Sequence, residues 1–246
     1  MIYCFDLDGT ICSSVENSQY HLALPDRVVV DEINRLYDSG NTIKIMTARG
    51  CVSKVDHTEL TKKQLEEWGV KYNELLMNIK PHAHYFIDDK GYNIEDWKKQ
   101  IPLKKGIIAG AFDVIHPGYV RMFNDAKLYC NYLTVALHVD PSIERNHKLK
   151  PVHSVSERTE ILLSMKNVDS VVYYSSENEF HDHLKSGHYD IRFLGTDYKD
   201  GSYTGKDINI EVIWLDRESH NYSSTKLKAD IYESICLKKM ECENYD

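Results

Sequence analysis

The feature that most constrains this chain is an alternation of short apolar strands and amphipathic helices that stops and then restarts near residue 103. Strand followed by helix, repeated, is typical of a parallel sheet with helices packed on its faces. The first series predicts strands at 2–5, 42–46 and 85–87, and helices at 25–37 and 58–68. The second series predicts strands at 106–112, 133–137, 171–174, 191–194 and 210–214, and helices at 118–128, 156–165 and 224–235.

The length of 246 residues suits one large domain or two small ones. Because the pattern restarts, we predict two: residues 1–103 and residues 104–246, joined by a polar linker at 97–105. The predicted class is α/β, with two Rossmann-like three-layer domains, each a mainly parallel sheet with helices on both faces.

Composition excludes several classes of protein. Lys and Arg total 30 against 38 Asp and Glu, and this net charge of −8 argues against a nucleic-acid partner. Apolar runs are far shorter than the roughly 20 residues that span a bilayer, so no membrane association is expected. The N-terminus lacks a basic segment of the signal-peptide kind, and the six cysteines form no C-x-x-C pair. We therefore expect free thiols in a reducing cytoplasm.

Carboxylates follow two predicted strands of the first series. Asp6 and Asp8 come directly after strand 2–5, and Asp88 and Asp89 come after strand 85–87. The carboxyl ends of parallel strands meet at one edge of a sheet, where ligands bind. Crowded carboxylates need a cation, and such oxygen ligands suit Mg²⁺. Arg49, two residues after Thr47 at the end of strand 42–46, is open between contacting a phosphate and making a structural ion pair.

The blocks DLDGT, MTARG and KPHAHYFIDDK make residues 1–100 resemble the haloacid-dehalogenase-like phosphatase superfamily. The resemblance implies that Asp6 is the nucleophile that takes the phosphoryl group, and that Asp8 protonates the leaving oxygen and then activates water. It implies that Thr47 and Lys80 neutralise phosphoryl oxygens. The implied Mg²⁺ ligands are Asp6, Asp8, Asp88 and Asp89. The short domain implies a minimal cap and an open site.

A second phosphate site is predicted where strand 106–112 runs into a helix. Residues 110–119 read GAFDVIHPGY. Glycine lets the backbone approach a ligand closely, and a helix N-terminus offers N–H groups to phosphate. His116 is placed to donate a hydrogen bond to a phosphoryl oxygen. The sequence G-x-x-x-x-G-K-[ST] is missing, so this is not a P-loop.

This decamer resembles the signature G-x-F-D-x-x-H-x-G-H of the cytidylyltransferase branch of the nucleotidylyltransferase superfamily, with glycerol-3-phosphate cytidylyltransferases as the nearest likeness. The resemblance covers about residues 105–235. The implied reaction is attack of a small phosphomonoester on the α-phosphate of CTP, with release of pyrophosphate. It needs alignment and charge neutralisation rather than a protein nucleophile.

The resemblance also implies residue roles. His116 is expected to stabilise the transition state. The implied nucleotide-binding residues are Gly110, Ala111, Phe112, His116, Gly118, Tyr119, Lys150, Gly195, Asp197, Arg217, Ser223, Ser224 and Thr225. The implied acceptor-binding residues are Asp113 and Lys148. A homodimer is expected by the same resemblance.

Tyr119 departs from the signature, which has a second histidine at this position. Tyrosine still donates one hydrogen bond, but it is neutral and longer than imidazolium. Three interpretations stay open: a bifunctional phosphatase and cytidylyltransferase that makes a CDP-linked precursor for surface polysaccharide, an adenylyltransferase that uses ATP, or a phosphatase whose second domain only binds nucleotide or dimerises.

Overall fold

The computed structural model describes residues 1–80, 83, 88, 90–145, 148–216 and 222–243, without the side chains of 237 and 239–243. The chain divides into two compact units, Met1–Leu103 and Lys104–Asp246. Both contain parallel strands with helices packed on them, which confirms the predicted α/β class.

The first unit is built on a three-stranded parallel sheet in the order β1-β2-β3. Its elements are β1 (Ile2–Asp6), α1 (Arg27–Asp38), β2 (Thr42–Thr47), α2 (Thr58–Glu67), β3 (Glu74–Met77) and α3 (Ile94–Lys98). Asp26 caps α1 by accepting a hydrogen bond from the Val29 N–H. Gly40, at φ +82°, follows its end in the left-handed conformation that glycine tolerates.

The structure revises the sequence prediction in two places within this unit. Strand β3 was not predicted, whereas the predicted strand 85–87 lies outside the described residues. The predicted linker 97–105 is wrong at its start, because Trp97 belongs to α3 and packs edge-on against Phe5, with ring centroids 5.2 Å apart. Lys98 of the same helix forms an ion pair with Asp26.

The second unit is built on a five-stranded parallel sheet in the order β6-β5-β4-β7-β8. Its elements are β4 (Lys105–Gly110), α4 (Pro117–Lys127), β5 (Tyr132–His138), α5 (Val155–Leu163), β6 (Ser170–Tyr174), α6 (Glu177–Ser186), β7 (Ile191–Gly195), β8 (Glu211–Leu215) and α7 (Ser224–Glu243). The chain moves outward from β4 to β6 and then returns to place β7 on the other side of β4. A crevice opens where the strand order reverses in this way, and ligands bind there.

Helices cover both faces of the second sheet. Neighbouring residues of a strand point to opposite faces, so Ile108 packs with Phe123 and Leu162 of α4 and α5, while Ile107 packs with Phe180 of α6. Helix α6 was not predicted, because its sequence ENEFHDHLKS offers only two buried apolar side chains. In the described part of the chain, no helix is both long and apolar enough to cross a bilayer.

Candidate active site

A cavity of about 810 Å³ opens at the carboxyl ends of β4 and β7, at the reversal of strand order. Most of the residues predicted for the second phosphate site line it. They are Gly110, Ala111, Phe112, Asp113, His116, Tyr119, Lys148, Gly195, Ser223, Ser224 and Thr225. Gly118 is instead buried within α4, and Lys150 and Asp197 are exposed outside the lining. Arg217 lies outside the described residues.

The loop between β4 and α4 has an unusual backbone. Phe112 and Val114 adopt φ values of +46° and +51°, a region that residues other than glycine rarely occupy. Such strain is concentrated at functional sites, where the surrounding structure enforces it. A Cβ on Gly110 would lie 3.1 Å from the Phe112 ring, so glycine lets this ring fold back against the strand end. His116 precedes α4 and Pro117 occupies the helix's first turn.

Arg158 of α5 holds the start of this loop through hydrogen bonds to backbone carbonyls. Its side chain is buried and donates to the Ala111 carbonyl at 2.8 Å and the His138 carbonyl at 2.9 Å. It also donates to the Val139 carbonyl at 2.6 Å. The Arg158 guanidinium therefore links the residue that follows β4 to the end of β5 through hydrogen bonds.

Asp113 has partners that differ from those expected for an acceptor-binding residue. Its carboxylate accepts hydrogen bonds from the backbone N–H groups of Val152 and His153, at 2.8 and 3.0 Å, and pairs with Lys228 of α7. Burial opposes its ionisation, but these hydrogen bonds hold the pKa of Asp113 below its usual range. Asp113 therefore joins three segments of the site, and its predicted contact with the acceptor stays a prediction.

The His116 imidazole lies within a stack of aromatic rings. The Tyr119 ring is nearly parallel to it at 4.2 Å between centroids, and the Tyr222 ring lies 5.9 Å away at an interplanar angle of 16°. The Tyr119 hydroxyl shares a hydrogen bond of 2.9 Å with Ser224 in the first turn of α7. The residue that replaces the second signature histidine thus packs on the first one and ties it to the N-terminus of α7.

The polar residues predicted in the first unit meet at the carboxyl edge of its sheet. The parallel register sets Asp6 beside Met46 and Thr47 beside Met77, so the three strand ends are neighbours. Lys80, after β3, forms an ion pair with Asp6. The Thr47 hydroxyl donates to Asp8 at 3.4 Å. Asp6, Asp8, Thr47 and Lys80 are therefore brought together.

Arg49 makes the structural ion pair, one of the two roles left open by the sequence. Its side chain is fully buried and contacts the Asp8 carboxylate through Nε and Nη2, at distances of 2.7 to 3.1 Å. Its other terminal nitrogen donates to Thr61 at 3.2 Å and Gln64 at 2.7 Å. The guanidinium fixes the Asp8 carboxylate and supplies a positive charge beside it.

The remaining predicted metal ligands are only partly described. Asp88 is exposed and accepts a hydrogen bond from the Lys90 N–H, while Asp89 lies outside the described residues. Cys12 lies next to Asp8, and burial together with that carboxylate raises the pKa of Cys12 to about 12. Its thiol is therefore protonated at neutral pH and unreactive. The five cysteines with described side chains are all free, as expected.

Arg49→Met is expected to lower the free energy of unfolding of the first unit by about 3 kcal/mol, because it leaves Asp8 and Gln64 without their buried partner. Arg35→Met is the matched control, since the exposed Arg35 pairs with Glu32 on the same helix and loss of this pair should change the stability far less. Urea unfolding followed by circular dichroism measures both. Equal effects of the two substitutions would contradict the role given to Arg49.

Several residues that build the second site were not predicted. Arg158, Lys228 and His138 are the main ones. His138 is the last residue of β5, and the rule that ligands bind beyond strand ends could have pointed to it. Lys228 lies one turn after Ser224 on α7, but only the fold shows that it reaches Asp113.

The doubly wound parallel sheet, with its histidine-containing loop and helix N-terminus at the reversal point, is that of a nucleotidyltransferase domain. The chain belongs to the cytidylyltransferase-like family, whose family model matches residues 107–230.

Among curated relatives, the chain is similar to the bifunctional protein HldE of Hyphomonas neptunium and of Caulobacter vibrioides, with 31% identity over 116 residues in each case. These matches cover 47% of this chain and 24% of each relative, so the chain spans about a quarter of their length. Among solved structures, a lipopolysaccharide core biosynthesis protein from Thermoplasma volcanium matches with a TM-score of 0.38 and 19% identity. That match covers 46% of this chain and 95% of the other.

Proposed function

We propose that the second unit transfers CMP from CTP to a small phosphomonoester such as glycerol 3-phosphate and releases pyrophosphate. The observation that carries this proposal is the convergence of His116, Lys148 and the N-terminal residues of α7 on one cavity at the reversal of strand order. The family to which the chain belongs supports the same class of reaction.

The proposed reaction is one displacement at phosphorus. An oxygen of the acceptor phosphate forms a bond to the α-phosphorus, the bond to the bridging α–β oxygen breaks, and pyrophosphate leaves with that electron pair. The acceptor is already an anion, so the protein's task is to align two anions and neutralise their charge. His116 donates to the α-phosphate, Lys148 faces the acceptor phosphate, and the hydroxyls and N–H groups that open α7 hold the β- and γ-phosphates.

The test is a pyrophosphate assay of the intact chain with CTP or ATP, Mg²⁺ and a panel of polyol, sugar and amino-alcohol phosphates. Pyrophosphate release with CTP and an acceptor is the expected result. Faster release with ATP would favour the adenylyltransferase alternative. Binding of CTP without release for every acceptor would overturn the catalytic proposal and leave a nucleotide-binding domain.

Tyr119→Phe is expected to weaken CTP binding about fivefold, because it removes the hydrogen bond to Ser224, worth ~1 kcal/mol, and keeps the stack on His116. Tyr119→Ala removes both contacts and should also lower kcat. Tyr232→Phe, on the exposed side of α7, is the control. CTP dissociation constants from calorimetry measure the effect, and an unchanged value for Tyr119→Phe would exclude this role for the hydroxyl.

For the first unit we propose phosphomonoester hydrolysis through an aspartyl-phosphate. An Asp6 oxygen attacks phosphorus, the ester P–O bond breaks, and the leaving alkoxide takes a proton from Asp8. Water activated by Asp8 then attacks the aspartyl-phosphate and releases phosphate. The ion pair of Lys80 with Asp6 and the contact of Thr47 with Asp8 support the proposal, because they bring two hydrogen-bond donors next to the proposed nucleophile and acid.

The carboxylate oxygens of Asp6 and Asp8 are hard ligands of the kind that Mg²⁺ prefers. Asp6, Asp8, Asp88 and Asp89 would hold Mg²⁺, which when bound neutralises charge on the phosphoryl group.

A further inference from the structure

The side of the cavity formed by β5, β6 and the start of α6 contains polar residues that the proposed transfer does not use. His138 ends β5, Tyr174 ends β6 and Glu177 begins α6, and all three line the cavity together with Arg145. We call this set of residues, with Glu144 and Arg192, the β5–β6 pocket.

His138 is a buried polar residue whose ring nitrogens could bind a ligand. It is 1% exposed, and neither ring nitrogen has a hydrogen-bond partner among the residues described. The nearby Glu144 carboxylate lies 3.8 Å from Nε2, beyond hydrogen-bond distance. A buried polar group without a partner destabilises a fold and needs an explanation. Burial and the charge of Arg145 lower the pKa of His138, so the ring is neutral at pH 7 and offers one donor and one acceptor.

The carboxylates of the β5–β6 pocket are already balanced by cations. Glu177 pairs with Arg145 and accepts a hydrogen bond from the Thr204 hydroxyl. Glu144 accepts from the Glu177 N–H at 3.2 Å. Arg192, which is buried and lines the same cavity, brings a second positive charge near Glu177. The pocket therefore has no net formal charge.

Aromatic rings complete the pocket. The Tyr174 ring lies 4.6 Å from His138, and the Arg192 guanidinium lies between the rings of Phe180 and Tyr203, at 5.2 and 5.1 Å from their centroids. Flat apolar faces beside fixed donors and acceptors suit a ligand that presents C–H groups and hydroxyls together.

Charged ligands fit this arrangement poorly. Ligand atoms of His138, Glu144 and Glu177 lie within 4.8 Å of one another, which would suit a cation, but the Arg145 guanidinium already occupies the Glu177 carboxylate and repels one. A second phosphate or an ammonium group would find no excess charge of the opposite sign. Two neighbouring hydroxyls of one ligand can satisfy a neutral imidazole, because one accepts a hydrogen bond from the ring N–H and the other donates to the second ring nitrogen.

We propose that the β5–β6 pocket binds the hydroxylated carbon chain or ring of the phosphomonoester acceptor, so that the acceptor is the phosphate of a polyol or sugar larger than glycerol. This proposal rests on the proposed function, since it assigns the part of the acceptor that lies beyond the phosphate held near Lys148.

The test is calorimetric titration of the intact chain with ribitol 5-phosphate, mannitol 1-phosphate and glucose 1-phosphate, compared with glycerol 3-phosphate and phosphoethanolamine. At least one of the three larger probes should bind about tenfold more tightly than glycerol 3-phosphate, as one or two extra hydrogen bonds would give. His138→Phe should reduce this preference to less than about threefold, and Glu177→Gln should reduce it in the same direction.

Thermal unfolding shows whether His138 serves ligand binding or the stability of the fold. His138→Phe replaces an unpartnered buried polar group by an apolar ring, so it should not destabilise the protein if His138 serves binding. Its Tm should stay the same or rise, and a fall in Tm would overturn the proposal. Three other results would also overturn the proposal: no preference for the larger probes, a preference that survives both substitutions, or saturable Mn²⁺ binding that His138→Phe removes. Pyrophosphate release is measured separately, so a failure of the proposed nucleotidyl transfer shows as no release with any acceptor, whereas a failure of this assignment shows in the acceptor titrations.

Discussion

Replacing His116 by asparagine is expected to lower kcat for pyrophosphate release by about 10²–10³-fold, the usual effect of removing one preorganised donor to a developing charge. The imidazole is held between the rings of Tyr119 and Tyr222, so its orientation is fixed before substrate binds. Asparagine keeps a donor but is shorter and cannot stack. The KM for CTP should change much less than kcat, because the contact to the α-phosphate is strongest in the transition state.

The control for this prediction is His21→Asn, since His21 is exposed and lies in the first unit. Phosphate release by the first unit serves as a second control in the same preparation, because His116→Asn should leave it unchanged. A kcat for His116→Asn within about threefold of the unsubstituted protein would contradict the role given to the imidazole.

Asp6→Asn is expected to abolish phosphatase activity, with a loss on the order of 10⁴–10⁶-fold, the range found when a covalent nucleophile is removed. The asparagine side chain has nearly the same shape, but its amide cannot form the aspartyl-phosphate, and the substitution removes the carboxylate of the ion pair with Lys80. The measurement is phosphate release from a general phosphomonoester such as p-nitrophenyl phosphate in the presence of Mg²⁺.

Asp38→Asn is the matched control, because Asp38 is exposed on α1 and pairs with Lys71 away from the strand ends. Its phosphatase rate should equal that of the unsubstituted protein, and both variants should keep the pyrophosphate-releasing activity of the second unit. Unchanged phosphate release by Asp6→Asn would exclude Asp6 as the nucleophile and contradict the proposed phosphatase site.

The parts of the fold that the sequence predicts well are those encoded locally. The runs 42–46 and 133–137 correspond to β2 and β5. In β2 buried and partly buried residues alternate, as in a strand with one face in the core, whereas β5 is buried along nearly its whole length. Strand β3 escaped prediction because ELLM is short and begins with an exposed glutamate. Helices α3 and α6 escaped it because each buries too little apolar surface to produce a clear period.

The candidate sites also combine features that are encoded locally with contacts that only the fold creates. Motifs place His116 and Asp6 at strand ends, and the fold brings them to the expected edges of the two sheets. Contacts between distant segments have no local signal. The pair of Asp113 with Lys228 joins residues 115 positions apart, so no local pattern could have predicted it. The hydrogen bond between Tyr119 and Ser224 likewise becomes visible only when α4 and α7 meet.

The central claim is nucleotidyl transfer to a phosphomonoester, and product analysis with CTP labelled at the α-phosphate tests it most directly. The intact chain is incubated with labelled CTP, Mg²⁺ and the acceptor panel, and products are separated and identified by mass. We predict a CDP-linked product that carries the label and forms in a one-to-one ratio with pyrophosphate. Label found only in CMP, or only in unreacted CTP with every acceptor, would contradict the claim.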